Sequence, residues 1–235
     1  MKRLCTIGAR GGSKGVKNKN IRDLLGRPLI AYSILQAKAS GLFMAIAVSS
    51  DSSLFLDAAK AYGADILVER PAEMATDEAP KIPAIQHCVR IAEQVRGVTF
   101  DIIVDLDATS PLRDVEDIRR AVRLLEDRNV STVITGAPAH RSPYFNLVEL
   151  DKNGVVRLSK TLPVPIFRRQ DAPKCFDMNA SMDVWKRDSL FANIDVFNSD
   201  TLLYEMPPER SVDIDSELDF QIVEFLMAKR EKNLE

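Results

Sequence analysis

Within residues 9–20, ARGGSKGVKNKN, three glycines (Gly11, Gly12 and Gly15) share twelve positions with four basic side chains, Arg10, Lys14, Lys17 and Lys19. Glycine takes positive φ readily and carries no Cβ, so a chain rich in it can bring N–H groups up to phosphate oxygens while the cations crowd into the same volume. The loop follows directly on the apolar run at 4–7, and a strand that delivers such a loop suits a nucleotide triphosphate. Its spacing is neither GxxxxGK[ST] nor GxGxxG, and a solvated Gly/Lys-rich turn would have the same composition.

Carboxylates recur in two alternating pairs. Asp105 and Asp107 close the most apolar run, FDIIVDL and the residue after it; strand alternation puts both on one face just before a loop, where they can meet a cation. Asp213 and Asp215 alternate in SVDID ahead of the last helical stretch. Mg²⁺ is usually held by one or two carboxylates together with substrate phosphates, and a helix N-cap or dipole role competes for Asp215. Glu69-Arg70-Pro71, with Asp77 a few residues on, forms a further charged group that a surface salt bridge would also explain. His87 and His140 have no identifiable partner for acid–base work. Cys5, Cys88 and Cys175 are widely spaced with no CxxC, which points to neither a disulfide framework nor a zinc site.

The elements that must position these residues follow from periodicity. Residues 3–8, 44–49, 65–68, 100–106 and 130–137 read as strands, and 28–39, 52–62, 81–96 and 115–126 as helices, with Pro28 in a first turn, Asp114 as a cap and Gly63 as a stop. Such alternation implies an α/β fold, a mostly parallel sheet covered on both faces, with ligands beyond the carboxyl ends of the strands where strand order reverses. After Pro138 the pattern changes to a hairpin, 144–150 and 155–158 around an Asn-Gly turn, followed by LPVPIFRRQDAP. Two strands alone are marginal in water, so the hairpin is expected to be an arm on a second subunit, with folding back onto its own domain as the other option. The chain then returns to a strand at 181–185, a short helix at 189–191, a strand at 201–205 and a helix at 217–230. The expected organisation is one α/β domain, 1–137 and 178–235, interrupted by the arm at 138–177. A length of 235 residues with 46% hydrophobic content fits that size, and a net charge of −2 argues against a nucleic-acid partner. With no apolar run of about 18 residues and no leader pattern, a cytoplasmic protein without a membrane partner is expected.

In combination, ARGGSKG with KN, ERPAEMATD, TSPLR and DIDSELDF, in this order across residues 3–226, resemble the acylneuraminate cytidylyltransferase family, which makes CMP-activated sialic acids. The resemblance implies a Rossmann-like nucleotidyltransferase fold, a homodimer formed through the hairpin arm (pairing into tetramers left open), and a Mg²⁺-dependent reaction of CTP with a nine-carbon 2-keto sugar acid that yields the CMP-sugar and pyrophosphate. By position it implies nucleotide contacts from Ala9, Arg10, Gly11, Gly12, Ser13, Lys14, Asn20, Arg70, Ala79 and Lys81, and catalytic roles for Arg10, Lys14, Lys19 and Asp213. Asp213 and Asp215 fall at the metal ligands. Asp107, Thr109, Ser110, Arg169, Gln170, Asn179 and Asp183 fall at the sugar site, Arg169 coming from the arm.

Three positions depart from that pattern. LDATSPLR stands where sialic acid enzymes commonly read LQPTSPLR, so Asp107 replaces a glutamine; NASMD stands for NGAIY, so Asp183 replaces an aromatic; and Lys81 replaces a serine near the cytosine. Changes on the acceptor side point to a related bacterial nonulosonic acid such as legionaminic acid, and LDATSPLR resembles that branch. Asp107 could also join Asp213 and Asp215 as a third metal ligand. The alternatives are N-acetylneuraminate or 3-deoxy-manno-octulosonate as acceptor, or a catalytically silent nucleotide-binding protein.

Overall fold

The computed structural model describes residues 1–12, 15–192 and 194–232. The first apolar run forms β1 (Arg3–Gly8), with Leu4 to Ile7 buried. A tight hairpin, β2 (Asp23–Leu24) and β3 (Arg27–Pro28), leads into α1 (Leu29–Ser40). Pro28 is the N-cap of α1, just ahead of the expected first turn, where its missing N–H costs nothing. β4 (Ala45–Ser50), α2 (Ser53–Ala61), β5 (Ile66–Glu69), α3 (Lys81–Arg96), β6 (Ile102–Leu106), α4 (Val115–Arg128) and β7 (Thr132–Pro138) follow, each within two residues of the expected bounds. Asp114 caps α4 as anticipated, in a reciprocal box with Asp117.

The second half departs further from expectation. β8 (Val148–Leu150) and β9 (Val156–Leu158) are shorter than the apolar runs that suggested them, and every residue in both is exposed. β10 (Phe176–Lys186) starts five residues before the expected strand, inside the segment assigned to the arm, because its first residues, Phe176 to Met178, pair with β7. α5 (Arg187–Ala192), β11 (Leu202–Glu205) and α6 (Glu217–Lys232) complete the chain.

Seven strands form one sheet in the order β11-β7-β10-β6-β1-β4-β5, parallel except for β10, which runs antiparallel to both neighbours. Strand order reverses around β1, between β4 and β6, so the carboxyl ends of β1 and β6 diverge into a crevice. Alternation sorts side chains onto two faces. Cys5, Ile7, Val104 and Leu106 pack beneath α1, α2 and α4, whereas Leu4 and Ile103 face α3 and α5. α6 seals a third cluster, where Phe220 and Val223 meet Leu24, Leu29, Leu112 and Ile214.

A register shift in β10 between Met178 and Asp183 places Ala180 at φ 48, in the left-handed region. This is the glycine position of the NGAIY pattern. A Cβ there costs about 1 kcal/mol, partly offset by glycine's larger entropy loss on folding. Ala180→Gly is therefore expected to raise the urea midpoint modestly; a lower midpoint would show the bulge to be unstrained.

Candidate active site

Where β1 and β6 diverge, a cleft of about 480 Å³ opens, lined by Gly8, Arg10, Gly15, Lys19 and Asn20 from the first crossover. Arg70, Thr76, Asp77, Ala79 and Lys81 form its second wall, and Asp105, Asp107, Thr109, Asp213 and Asp215 its floor and far side. Thirteen of the residues singled out from sequence thus face one volume: Arg10, Gly15, Lys19, Asn20, Arg70, Asp77, Ala79, Lys81, Asp105, Asp107, Thr109, Asp213 and Asp215.

The first crossover docks directly on the late carboxylates. Lys19 opens a 3-10 turn (Lys19–Ile21) behind Asn18 at φ 53. Its ammonium donates to the Ile214 carbonyl and lies 3.3 Å from Asp215 Oδ1. A Cβ on Gly15 would stand 2.0 Å from the Asp215 carbonyl oxygen, so only glycine lets the loop lie against that segment. Positive φ is not the reason for the neighbouring glycines: Gly11 and Gly12 are not among those with left-handed backbones, which are at 26, 41, 63, 97 and 154. The Gly11 amide is donated to Asp51 Oδ1 at 2.8 Å. Arg10 spans the cleft mouth, 2.8 Å from Asp77 Oδ1 and donating to the Thr76 carbonyl at 3.0 Å. Arg70 donates to Ser49 O at 3.1 Å and lies over Gly8, where a Cβ would be 2.8 Å from the guanidinium. Asn20 is buried, and its Oδ1 has no hydrogen-bond partner among the described residues. Ser13 and Lys14 lie outside the described residues.

On the floor, Thr6, Asp105 and Asp183 occupy the sheet face covered by α3. Thr6 Oγ1 donates to Asp105 Oδ1 at 2.7 Å, and Asp183 is the cross-strand neighbour of Asp105. Lys81, the first residue of α3, reaches over both: its ammonium is 3.0 Å from Asp105, 3.5 Å from Asp183 and 4.0 Å from Asp107. Burial alone would push the Lys81 pKa down, but Asp105, then Asp183 and Asp107, outweigh it and hold it above the usual lysine value. Burial pushes Asp183 up, against the pull of Lys81. The cation that Asp105 and Asp107 were expected to meet is thus this lysine.

Asp107 Oδ1 accepts from Thr109 N at 3.0 Å and Thr109 Oγ1 at 2.8 Å, and the same hydroxyl contacts Asp213 Oδ1. One hydroxyl carries one proton, so it can satisfy only one of the two carboxylates at a time. Burial first and Asp107 next raise the Asp213 pKa, with the Thr109 bond opposing. The Ile214 amide donates to Thr109 O at 3.1 Å, which fixes the segment against the loop. The helix-cap alternative for Asp215 is settled against it: Ser216 and Asp219 cap α6 reciprocally, leaving the Asp215 side chain 81% exposed beside Lys19. The three-carboxylate ligand set is corrected as well. Among the described residues no cluster of three or more His, Cys, Asp or Glu side chains could hold a metal ion, because Asp107 turns to Thr109 and Lys81.

Other expected contacts lie away from the cleft. Ala9 is buried and continues the sheet by donating its amide to Ser49 O; Gly12 is exposed. Asp183 stands behind Lys81, buried between strands, rather than lining the cleft. Asn179 is buried too, accepting from Thr135 Oγ1 and donating to Ser211 Oγ, and Ser110 is buried with its hydroxyl 3.5 Å from Asp213. Arg169 and Gln170 line a second cavity of about 550 Å³ with Arg141, Cys175 and Phe176. Sequence reasoning missed two supports. Arg113, from TSPLR, is wholly buried and donates to Ser33 Oγ and to Ser181, holding the turn that carries Thr109; Asp51 anchors the first loop. An arginine ending a polar turn looks solvated in sequence, and nothing local announces its burial.

Residues 4–189 match the family model described as cytidylyltransferase. The chain is 47% identical over 225 residues to the CMP-N,N'-diacetyllegionaminic acid synthase of Campylobacter jejuni, covering 96% of this chain and 94% of that protein. It is 46% identical over 232 residues to the post-translational flagellin modification protein B of Campylobacter coli, covering 99% and 97%. The fold matches a CTP-complexed CMP:2-keto-3-deoxy-manno-octonic acid synthetase with a TM-score of 0.72 at 16% identity, over 98% of this chain and all of that one. Among the described residues no helix is long and apolar enough to cross a membrane.

Lys81→Met would leave Asp105 and Asp183 facing each other without their cation. Breaking a fully buried pair costs about 3–5 kcal/mol, and solvent on the open side of Lys81 reduces this to roughly 2 kcal/mol. Asp183 already binds its proton more readily folded than unfolded, so protonation favours the folded state and the deficit should shrink as pH falls from 7.5 towards 5. Thermal melts across that range check it; a deficit that widens at low pH would refute the charge argument.

Proposed function

The chain belongs to the cytidylyltransferase family, and from that premise we infer that it activates a nonulosonic acid with CTP, giving the CMP-sugar and pyrophosphate. The observation that carries this reading is the meeting of Lys19 with the 213–215 segment: a phosphate-type loop and a carboxylate pair close on one cleft from opposite ends of the sequence. The sugar hydroxyl attacks the α-phosphorus of CTP and gives up its proton to an aspartate or water in the cleft, the bond to the bridging oxygen of the β-phosphate breaks, and pyrophosphate leaves, so negative charge gathers where the ligand is already anionic. Lys19 and Arg10 supply fixed positive charge there. Arg10 exchanges Asp77 for phosphate when the nucleotide enters. Arg70 and the backbone at Ala79 hold the cytidine, and Asn20 Oδ1 accepts from a ligand hydroxyl.

The donor set fits a hard divalent cation. Asp213 is held among Asp107, Asp215 and a shared hydroxyl, and oxygen-only ligands suit Mg²⁺. Asp213 and Asp215 would hold it, and when bound it supplies charge to the phosphate oxygens. Lys81, braced by Asp105 and Asp183, and the exposed oxygen of Asp107 give the cleft a floor unlike that of the sialic acid pattern. With the 47% relative named for a legionaminic acid product, this supports an acceptor of legionaminic type. The uncovered apolar hairpin supports the arm at 138–177 as a dimerisation element that carries Arg169 and Gln170 to the partner's cleft. A cytoplasmic location fits the supply of CTP.

Three measurements test the reading. Pyrophosphate release from CTP and Mg²⁺ with a panel of nonulosonic acids is expected to be fastest with a legionaminic acid; equal or better turnover of N-acetylneuraminate would overturn the acceptor, and no release with any acid would overturn the activity. Lys19→Ala is expected to lower kcat on the order of 100-fold with the fold intact, and an unchanged kcat would remove Lys19 from the chemistry. Sedimentation showing a monomer at micromolar concentration would dispose of the arm's role.

A further inference from the structure

Asp117 is almost wholly buried at the first turn of α4, and all its partners are in place. Its Oδ2 accepts from the Asp114 amide at 2.9 Å and Arg210 Nε at 2.9 Å, and its Oδ1 from Arg210 Nη2 at 2.8 Å and Tyr204 Oη at 3.0 Å. Arg210 also lies 3.2 Å from Asp114. This two-pronged pair joins two stretches that both end at the cleft. α4 follows directly on the turn carrying Thr109, and Arg210 precedes Asp213 by three residues. Downstream of the pair the same stretches are joined once more, where the Ile214 amide donates to Thr109 O at 3.1 Å. Asp213 therefore sits between two cross-links to that turn, which set its approach to Thr109 Oγ1 together with the packing of Ile214 on Leu112 and the bond from Lys19 to the Ile214 carbonyl.

We propose that Arg210 and Asp117 are positioning residues for the cation site: their buried ion pair sets where the Asp213 carboxylate is held against the Thr109 turn, although neither touches the cleft. The inference rests on the reading of Asp213 as a cation ligand. Outer partners that orient a ligand are worth 10–100-fold in metal affinity, and an arginine's planar fork cannot be reproduced by lysine. Arg210→Lys should therefore fall between wild type and Arg210→Gln rather than match wild type.

The test uses the full-length protein and Mn²⁺ as probe, followed by electron paramagnetic resonance in the presence of CTP without acceptor. Arg210→Gln is expected to weaken Mn²⁺ binding about tenfold or more while metal-free CTP affinity stays within about twofold; Arg210→Lys should show a smaller loss in the same direction. Should Arg210→Gln fail to fold, Arg210→Lys and Tyr204→Phe carry the measurement. Unchanged Mn²⁺ affinity in the folded variants, or an equal loss of metal-free CTP affinity, would overturn the positioning role. Asp213→Asn separates the two readings: wild-type Mn²⁺ binding in that variant would remove Asp213 itself, whereas its loss alongside unaffected Arg210 variants would sink only the clamp.

Discussion

Charge balance governs this structure. Among the described residues five aspartates, at 77, 105, 107, 213 and 215, line one cleft together with Arg10, Lys19, Arg70 and Lys81. Carboxylates in so small a volume repel one another unless each is given a cation or a fixed donor. Lys81 serves the floor, Lys19 the late segment and Arg10 the mouth. The site is thereby stable without a ligand and ready to trade partners when one brings its own charge. An anionic nucleotide can draw Arg10 from Asp77, and a divalent cation can relieve the crowding of Asp213 against Asp107 across a single hydroxyl.

The fold makes that crowding geometrically possible. Divergence of β1 from β6 opens the sheet edge, and β10, inserted antiparallel beside β6, brings Asp183 opposite Asp105. α3 then has to begin with a cation, and it does. The late segment arrives from the other side, cross-linked to the Thr109 turn by a backbone hydrogen bond, with Ser216 in the capping role so that the Asp215 side chain pairs with Lys19. Each support is ordinary chemistry: a glycine where backbones touch, an arginine where carbonyls are buried, a serine at a helix start.

Departures from the sialic acid pattern become physically coherent once the cleft is assembled. Asp107, Asp183 and Lys81 read in sequence as three unrelated exchanges, and in space they form one group around one ammonium. An added lysine and two added aspartates change the floor without leaving a buried charge unpaired. The three exchanges are thus accommodated as one group beside the cleft that Arg10, Lys19, Arg70, Asp213 and Asp215 also line.

Local sequence determined the α/β alternation, the strand and helix bounds up to β7 to within two residues and the cap at Asp114, because these depend on neighbours within a few positions. The alternation of Asp105 with Asp107, and of Asp213 with Asp215, was equally legible. Only the tertiary structure decided that β10 would begin at Phe176, that Arg113 would be buried, that Asp183 would stand behind Lys81, and that Gly15 would lie against the Asp215 carbonyl. Those outcomes depend on pairs separated by tens of residues up to the 200 between Gly15 and Asp215. Local propensity carries no information about which distant group a side chain will meet, and the burial and charge of that group decide its role.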